Sequence, residues 1–496
     1  SPYGIGTMGK EARKFADFLE KGGQKYWQIL PICPTSYGDS PYQSFSSFAG
    51  NPYFIDLEYL CKEKLLKKAE CESFPWGKKA DKVDYGVMYE SRYKLLKIAF
   101  ERFLRAEPDD FEAFCEKEAD WLSDYALFMA CKTYFDNVEW SAWEKDIKFR
   151  TAAGIEKYTA LLKEEIEFWK FLQYKFYGQW TVLRTYANNA GISIIGDIPI
   201  YVAMDSADTW AHPELFQLDE ENVPVAVAGC PPDGFSATGQ LWGNPLYRWG
   251  YHKETGYQWW ISRLAYVFRL YDVVRIDHFR GFDEYFSIPY GAETAVDGHW
   301  EKGPGMDLFW KVREALGEKP VIAEDLGYVT DSVRDLVRDS GFPGMKVLEF
   351  AFDSRDSGSA NDYLPHNYPV NSVAYTGTHD NETLAGWWGS ISKDEQKLTR
   401  EYLCDTYTPE AELNKPLISL IMRSAAKWCV IPMQDYLGLD NKCRMNTPST
   451  VGTNWKWRIR KNQLSVKLQK EIHAVTLRYG RMNWTEDVEE AAEAEK

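Results

Sequence analysis

Seven short apolar runs, each closing on polar residues, punctuate this chain: KYWQILPI (25–32), GISIIGDIPIYV (191–202), VVRIDHFRG (273–281), PVIAEDLG (320–327), GMKVLEFAF (344–352), SVAYTGTHD (372–380) and KWCVIPMQD (427–435). Runs of this length suit strands enclosed on both faces. Helical patterns fall between several of them: YQWWISRLAYVFRLY, MDLFWKVREALG, TDSVRDLVRDS and LISLIMRSAAK precede the third, fourth, fifth and last. Another, KEARKFADFLEK at 10–21, sets Ala12, Phe15, Ala16 and Leu19 on one face. Alternation of this kind predicts a parallel sheet covered by helices on both sides. Because polar residues gather at the carboxyl ends of many strands, a closed (β/α)8 TIM barrel with helical insertions is the economical α/β form, and a doubly wound open sheet is the rival.

The seven runs leave one strand of a (β/α)8 barrel without a counterpart. Residues 1–52 read as the first part of the barrel. Residues 53–190, rich in Glu, Lys, Trp and Tyr, read as a mainly helical insertion, with DWLSDYALFMACKTYF and EEIEFWKFLQYKFYGQW as its clearest helices. Residues 191–496 supply the rest of the barrel, its groove loops and an acidic tail, EDVEEAAEAEK.

Composition narrows the function. A formal net charge of −16 with no lysine-arginine block offers little attraction to a phosphate backbone, so nucleic acid is not an expected partner. No apolar run approaches the roughly 20 residues that span a bilayer. The nine cysteines are scattered from Cys33 to Cys443, odd in number and without a C-x-x-C pair, as in a reduced cytoplasmic protein. The chain starts at Ser1 instead of methionine, which leaves room for a lost leader. Oligomeric state has no sequence signal here.

Cofactor motifs are weak or missing. GIGTMG at 4–9 fits G-x-G-x-x-G, but only three residues precede it and the next strand ends without an acid, so it reads as a glycine-rich turn before a helix. The seven histidines form no H-x-x-x-H pair, and neither a G-x-S-x-G elbow nor a Walker loop occurs. Neither a cofactor nor a metal is expected.

Carboxylates remain. The central run VVRIDHFRGF places Arg275 and Asp277 on the same side of a strand whose other residues are apolar. Glu324 and Asp325 close VIAED, and Asp380 closes YTGTHD. Any one of these acids could cap a helix or pair with an arginine. On a barrel the strand ends converge, and Arg275, His278 and His379 lie beside them, which favours a site.

Converging carboxylates without metal or nucleotide are the equipment of glycoside chemistry: one attacks or stabilises the anomeric carbon, and a second, kept protonated, serves the leaving oxygen. Arg275 should lower the pKa of Asp277, which suits Asp277 as nucleophile and Glu324 as acid. Tyr42, Phe235 and Trp242, set among glycines and small polar residues, offer flat faces for sugar rings, although most of the 20 Trp and 31 Tyr must serve the core.

Along nearly its whole length the sequence resembles the amylomaltases, the 4-α-glucanotransferases related to the α-amylase group. The matching stretches are SPYGIGTMG, YWQILPICPTSYGDSPYQSFSSFAGNPYFIDL, GDIPIYVAMDSADTWA, GQLWGNPLY, VVRIDHFRGF, VIAEDLG, YTGTHDNET and MNTPSTVGTNW. The resemblance implies a (β/α)8 barrel without a separate carboxyl-terminal β-domain. It implies Asp277 as nucleophile, Glu324 as general acid and base, and Asp380 as the acid that grips sugar hydroxyls. It implies that Arg275, His278 and His379 bind the sugar at the cleavage point, and that Tyr42, Trp242, Asp325, Asn446 and Pro448 line the glucan groove.

The substrates so implied are α-1,4-glucans and maltooligosaccharides, cut and transferred to a 4-hydroxyl with retention. An α-glucan hydrolase with the same carboxylates and a non-catalytic glucan-binding protein are the alternatives. The family's usual first barrel strand, which leads into SPYGIG, has no counterpart. A sheet open there exposes backbone groups, so reduced stability is expected with the assigned catalytic residues in place.

Overall fold

The computed structural model describes residues 1–105, 109–232, 236–327, 329–353 and 362–483. Each of the seven runs forms a strand at its centre: β1 (Tyr26–Gln28), β2 (Ser193–Ile198), β5 (Val273–Ile276), β8 (Val321–Ala323), β9 (Gly344–Val347), β10 (Ser372–Tyr375) and β11 (Trp428–Val430). They pair in parallel, each with the next in chain order. Helices connect several of them, among them Gln258–Leu270, Met306–Leu316, Asp331–Ser340 and Asn414–Met422. The architecture is that of a TIM barrel with one side unzipped.

Alternation along these strands sorts the side chains. Ile195, Val273, Ile322, Met345, Val347, Val373 and Tyr375 fill the barrel interior, while Ile194, Val274, Ile276, Val321 and Ala323 pack outward into the core beneath the helices. Asp197 and Arg275 follow the inward set one step further on, and the register sets them directly opposite each other.

Among the described residues no backbone pairing joins β11 to β1, as the seven-strand count predicts. A cavity of about 580 Å³ lies along that seam, bordered by Trp27, Gln28, Cys429 and Val430 and reaching inward to Arg275 and Tyr375. The rings of Tyr26 and Trp428 meet across it at 5.1 Å.

Between β1 and β2 the described residues are helical or irregular. The longest helix there, Lys163–Asn189, packs against both Lys10–Lys21 and β2. A second sheet escaped the sequence reading. β3 (Ala226–Cys230), β4 (Gln240–Pro245), β6 (Glu284–Pro289) and β7 (His299–Lys302) form an antiparallel sheet in the order β4-β3-β6-β7. All four strands are short, and β3 and β4 contain glycine and a register shift between Val227 and Gly229, so no clear alternation marks them. The acidic tail falls outside the described residues.

Candidate active site

The carboxyl ends of β2, β5, β8 and β10 supply the polar groups of the barrel mouth. Arg275 is almost wholly buried, and burying a guanidinium requires partners. It has them on both sides. Its Nη1 reaches the Asp197 carboxylate at 2.9 and 2.8 Å and Asp277 Oδ1 at 3.0 Å. Asp197 was absent from the sequence-derived set, although it closes an apolar run, SIIGD, much as Asp277 closes VVRID.

Past Asp277 the strand cannot continue. His278 adopts φ 51° and ψ 48°, a left-handed conformation uncommon for any residue with a Cβ. That turn aims the His278 N–H at Glu324 Oε2, 2.7 Å away, while Leu326 N–H donates to Glu324 Oε1 at 2.9 Å. The register pairs Ile276 with Ala323, so Asp277 and Glu324 are the next residues on adjacent strands, whose spacing is about 4.8 Å.

The two acids titrate differently. Burial, and then the charge of Asp277, lift Glu324 to about 7. The Asp277 side chain keeps 29% of its surface open to solvent, yet protein crowds it on all other sides. Burial lifts its pKa above the ordinary value, against the pull of Arg275 and then His379. The expectation that Arg275 would set Asp277 below that value is therefore corrected: the arginine opposes the rise and burial outweighs it. Of these two acids Asp277 is the one in contact with a guanidinium, so Glu324 is the one that holds a proton.

Asp380 is arranged for the opposite state. Burial pushes it up, but His379, Asn446 and Arg275 together hold it well below the usual carboxylate range. His379 Nε2 lies 3.4 Å from Asp380 Oδ1, and Asn446 donates to the same oxygen at 2.6 Å. His379 rises in turn, because Asp380 outweighs its burial. Tyr42 stacks on His379 at 4.8 Å and donates its hydroxyl to Asp197 at 2.8 Å, joining the two halves of the mouth.

His278 is pushed down to about 3 by burial and then by Arg280, so it is neutral. Its Nε2 has no hydrogen-bond partner among the described residues. Trp242, carried by β4, presents itself edge-to-face to His278 at 4.8 Å. The second sheet thus serves as one wall of the mouth.

Asp325, at the end of β8, also braces the frame. Its Oδ1 accepts the Met345 N–H at 2.7 Å, and a Cβ at residue 344 would collide with its carboxylate, which explains Gly344. Pro448 stands exposed in the loop after Asn446. Phe235 lies outside the described residues. Among the described residues no group of histidine, cysteine and acid side chains could hold a metal ion.

Residues 1–464 match the profile of a family described as 4-alpha-glucanotransferase. The chain belongs to that family. A 4-alpha-glucanotransferase of Clostridium butyricum is 50% identical over 481 residues, covering 97% of this chain and 98% of its relative. One from Thermus thermophilus is 48% identical over 483 residues, covering 96% and 95%. The solved amylomaltase from Streptococcus agalactiae in complex with acarbose superposes with a TM-score of 0.94 at 41% identity, covering 97% of each chain. As in other 4-alpha-glucanotransferases, then, the activity to be explained at this mouth is glucan transfer.

Proposed function

We propose that this 4-alpha-glucanotransferase works by retaining double displacement, with Asp277 as nucleophile, Glu324 as acid and base, and Asp380 as the carboxylate that grips the sugar. The single observation that carries the reading is the pair at the ends of β5 and β8. Asp277 is held against Arg275, and Glu324, its neighbour on the next strand, is raised to about 7. Retaining glycoside chemistry asks for two carboxyl groups roughly 5 Å apart with opposed protonation states.

In the first step Asp277 attacks the anomeric carbon, the glycosidic bond breaks, and the Glu324 proton passes to the departing oxygen. In the second, ionised Glu324 takes the proton of an incoming 4-hydroxyl, whose oxygen displaces Asp277 from the anomeric carbon. The acceptor hydroxyl replaces the one that left, and the α-configuration is retained. Asp380, fully ionised, accepts hydrogen bonds from sugar hydroxyls, while neutral His278 has a free Nε2 to offer another. Trp242 and Tyr42 present ring faces and edges beside these groups, and Asn446 and Pro448 continue the groove outward.

The substrates are α-1,4-glucans and maltooligosaccharides, in keeping with a relative that is in complex with acarbose. Such chains are neutral, so a net charge of −16 does not repel them. None of the nine cysteines is disulfide-bonded, and we place the enzyme in the cytoplasm. No described helix is long and apolar enough to cross a membrane. Residues 53–190 are assigned to a helical subdomain inserted between two portions of the barrel, 1–52 and 191–496.

Maltotriose supplied alone tests the reading. Transfer yields glucose together with maltotetraose and longer chains. A product set of glucose and maltose with no elongation would establish hydrolysis instead.

A further inference from the structure

His379 and Asp380 sit on a loop that leaves β10 at Thr376 and enters helix Leu384–Ser390. Both ends of that loop are tied to one side chain. Thr376 donates its hydroxyl to Asp435 Oδ2 at 2.6 Å, and the Leu384 N–H donates to Asp435 Oδ1 at 2.8 Å. Asp435 is 1% exposed and Thr376 fully buried, so water cannot substitute for either bond. Inside the loop, Asn381 Oδ1 accepts from the N–H and the hydroxyl of Thr378, both at 2.9 Å. Glu349 closes over Gly377, where a Cβ would stand 2.8 Å from Glu349 Oε1.

We propose that Asp435, which contacts no reacting atom, is a positioning residue for the transfer reaction: it fixes the separation of Thr376 and Leu384 and thereby the placement of Asp380. A carboxylate suits the task because each of its oxygens accepts one of the two donors, and neither donor is left over. This rests on the role of Asp380 proposed above. Displacing a substrate-gripping group by about 1 Å costs on the order of 100-fold in rate.

Three measurements separate positioning from simple support of the fold. Asp435→Asn keeps the shape of the side chain but replaces one acceptor by a donor. It should lower kcat about 10- to 100-fold while the donor KM changes less than about 3-fold. Thr376→Val should behave likewise and Thr376→Ser like the parent, since only the hydroxyl matters. In histidine-labelled protein the His379 imidazole, pushed down by burial but raised overall by Asp380 with Arg275 opposing and Asp197 adding to that rise, should titrate lower in Asp435→Asn and in Thr376→Val.

Loss of thermal stability with unchanged kcat per folded molecule and an unmoved His379 titration would overturn the proposal. So would equal behaviour of the serine and valine variants. Because Thr376→Val keeps the shape of threonine without its hydroxyl, and Thr376→Ser keeps the hydroxyl without the methyl, their contrast tests the hydroxyl even if Asp435→Asn fails to fold. The proposed function fails separately, if Asp380→Asn itself leaves kcat intact.

Discussion

The main-chain N–H of His278 donates to the Glu324 carboxyl across 2.7 Å. That bond ties the acid to the strand end that carries Asp277, one residue away. The left-handed backbone at His278 is what makes the bond possible, so a strained turn fixes the relative orientation of the two reacting carboxyls.

Asp277→Asn removes the nucleophile while preserving shape and the contact with Arg275. The variant should still bind maltooligosaccharide but lose at least about 1,000-fold in kcat. Calorimetric titration with a maltooligosaccharide, set beside a kcat measurement, checks both halves. Turnover equal to the parent would remove Asp277 from its role.

The pH dependence should be bell-shaped. Glu324 must carry a proton at the first step, so kcat/KM should fall as pH rises through about 7. On the acid side activity should fail as Asp277 takes up a proton, at a pH above its ordinary value because burial raises it. A donor with a fluoride leaving group needs no protonation, and with it the descending limb should move or vanish in glycosyl-enzyme formation.

The same shift has a consequence for stability. A carboxyl raised in the folded state keeps its proton up to about 7, whereas the unfolded chain releases it near 4.3. Stability therefore declines as pH rises through that window and levels off above it. Glu324→Gln should abolish this contribution, leaving the parent less stable than the variant at pH 8 by about 1–3 °C in Tm and nearly equal to it at pH 4. A variant that melts lower at pH 8 would contradict the assigned direction.

Asp197 should prove structural, as the main partner of the buried Arg275. Asp197→Ala strands Arg275, a buried cation left with Asp277 as its acidic partner among the described residues, and losses of about 3–5 kcal/mol attend the breaking of such pairs. Chemical denaturation reads the loss. Its midpoint should fall clearly, more than for Asp325→Asn, which keeps an acceptor for the Met345 N–H.

Much of this was legible in the residues. The seven strands lie within the apolar runs, since β-branched residues such as Val273, Val274 and Ile276 in short blocks leave few other conformations that bury them. The alternation that placed Arg275 and Asp277 on one side holds in the barrel. What the sequence hid was long-range. Asp197 becomes part of the mouth only because its register faces Arg275, and Trp242 reaches His278 only through an antiparallel sheet whose bulge and glycines break the alternating pattern.

Asp325 carries a second duty the sequence does not show: its Oδ1 accepts the Met345 N–H and so braces β9, a contact made only through the neighbouring strand. The titration of Asp277 was hidden for a similar reason. Arg275 two residues away is visible in the sequence, but the crowding that outweighs it is supplied by other strands.

The open side between β11 and β1 gives the simplest engineering test. Among the described residues each strand has one unpaired edge, and the cavity of about 580 Å³ between them is flanked by Trp27, Val430 and Ile431. A short alternating apolar strand fused ahead of Ser1 should pair there and raise Tm by a few degrees, roughly the effect of several kcal/mol in a chain this long. No change in Tm would show that the seam does not accept a strand.

Trapping the glycosyl-enzyme tests the central claim most directly. Glu324→Gln incubated with an α-maltosyl fluoride should form the intermediate without an acid and release it slowly for want of a base. Proteolysis and mass spectrometry should then find the added maltosyl mass on the peptide that contains Asp277. Finding it on Asp380 or elsewhere, or finding no adduct while fluoride is released in stoichiometric burst, would contradict the account.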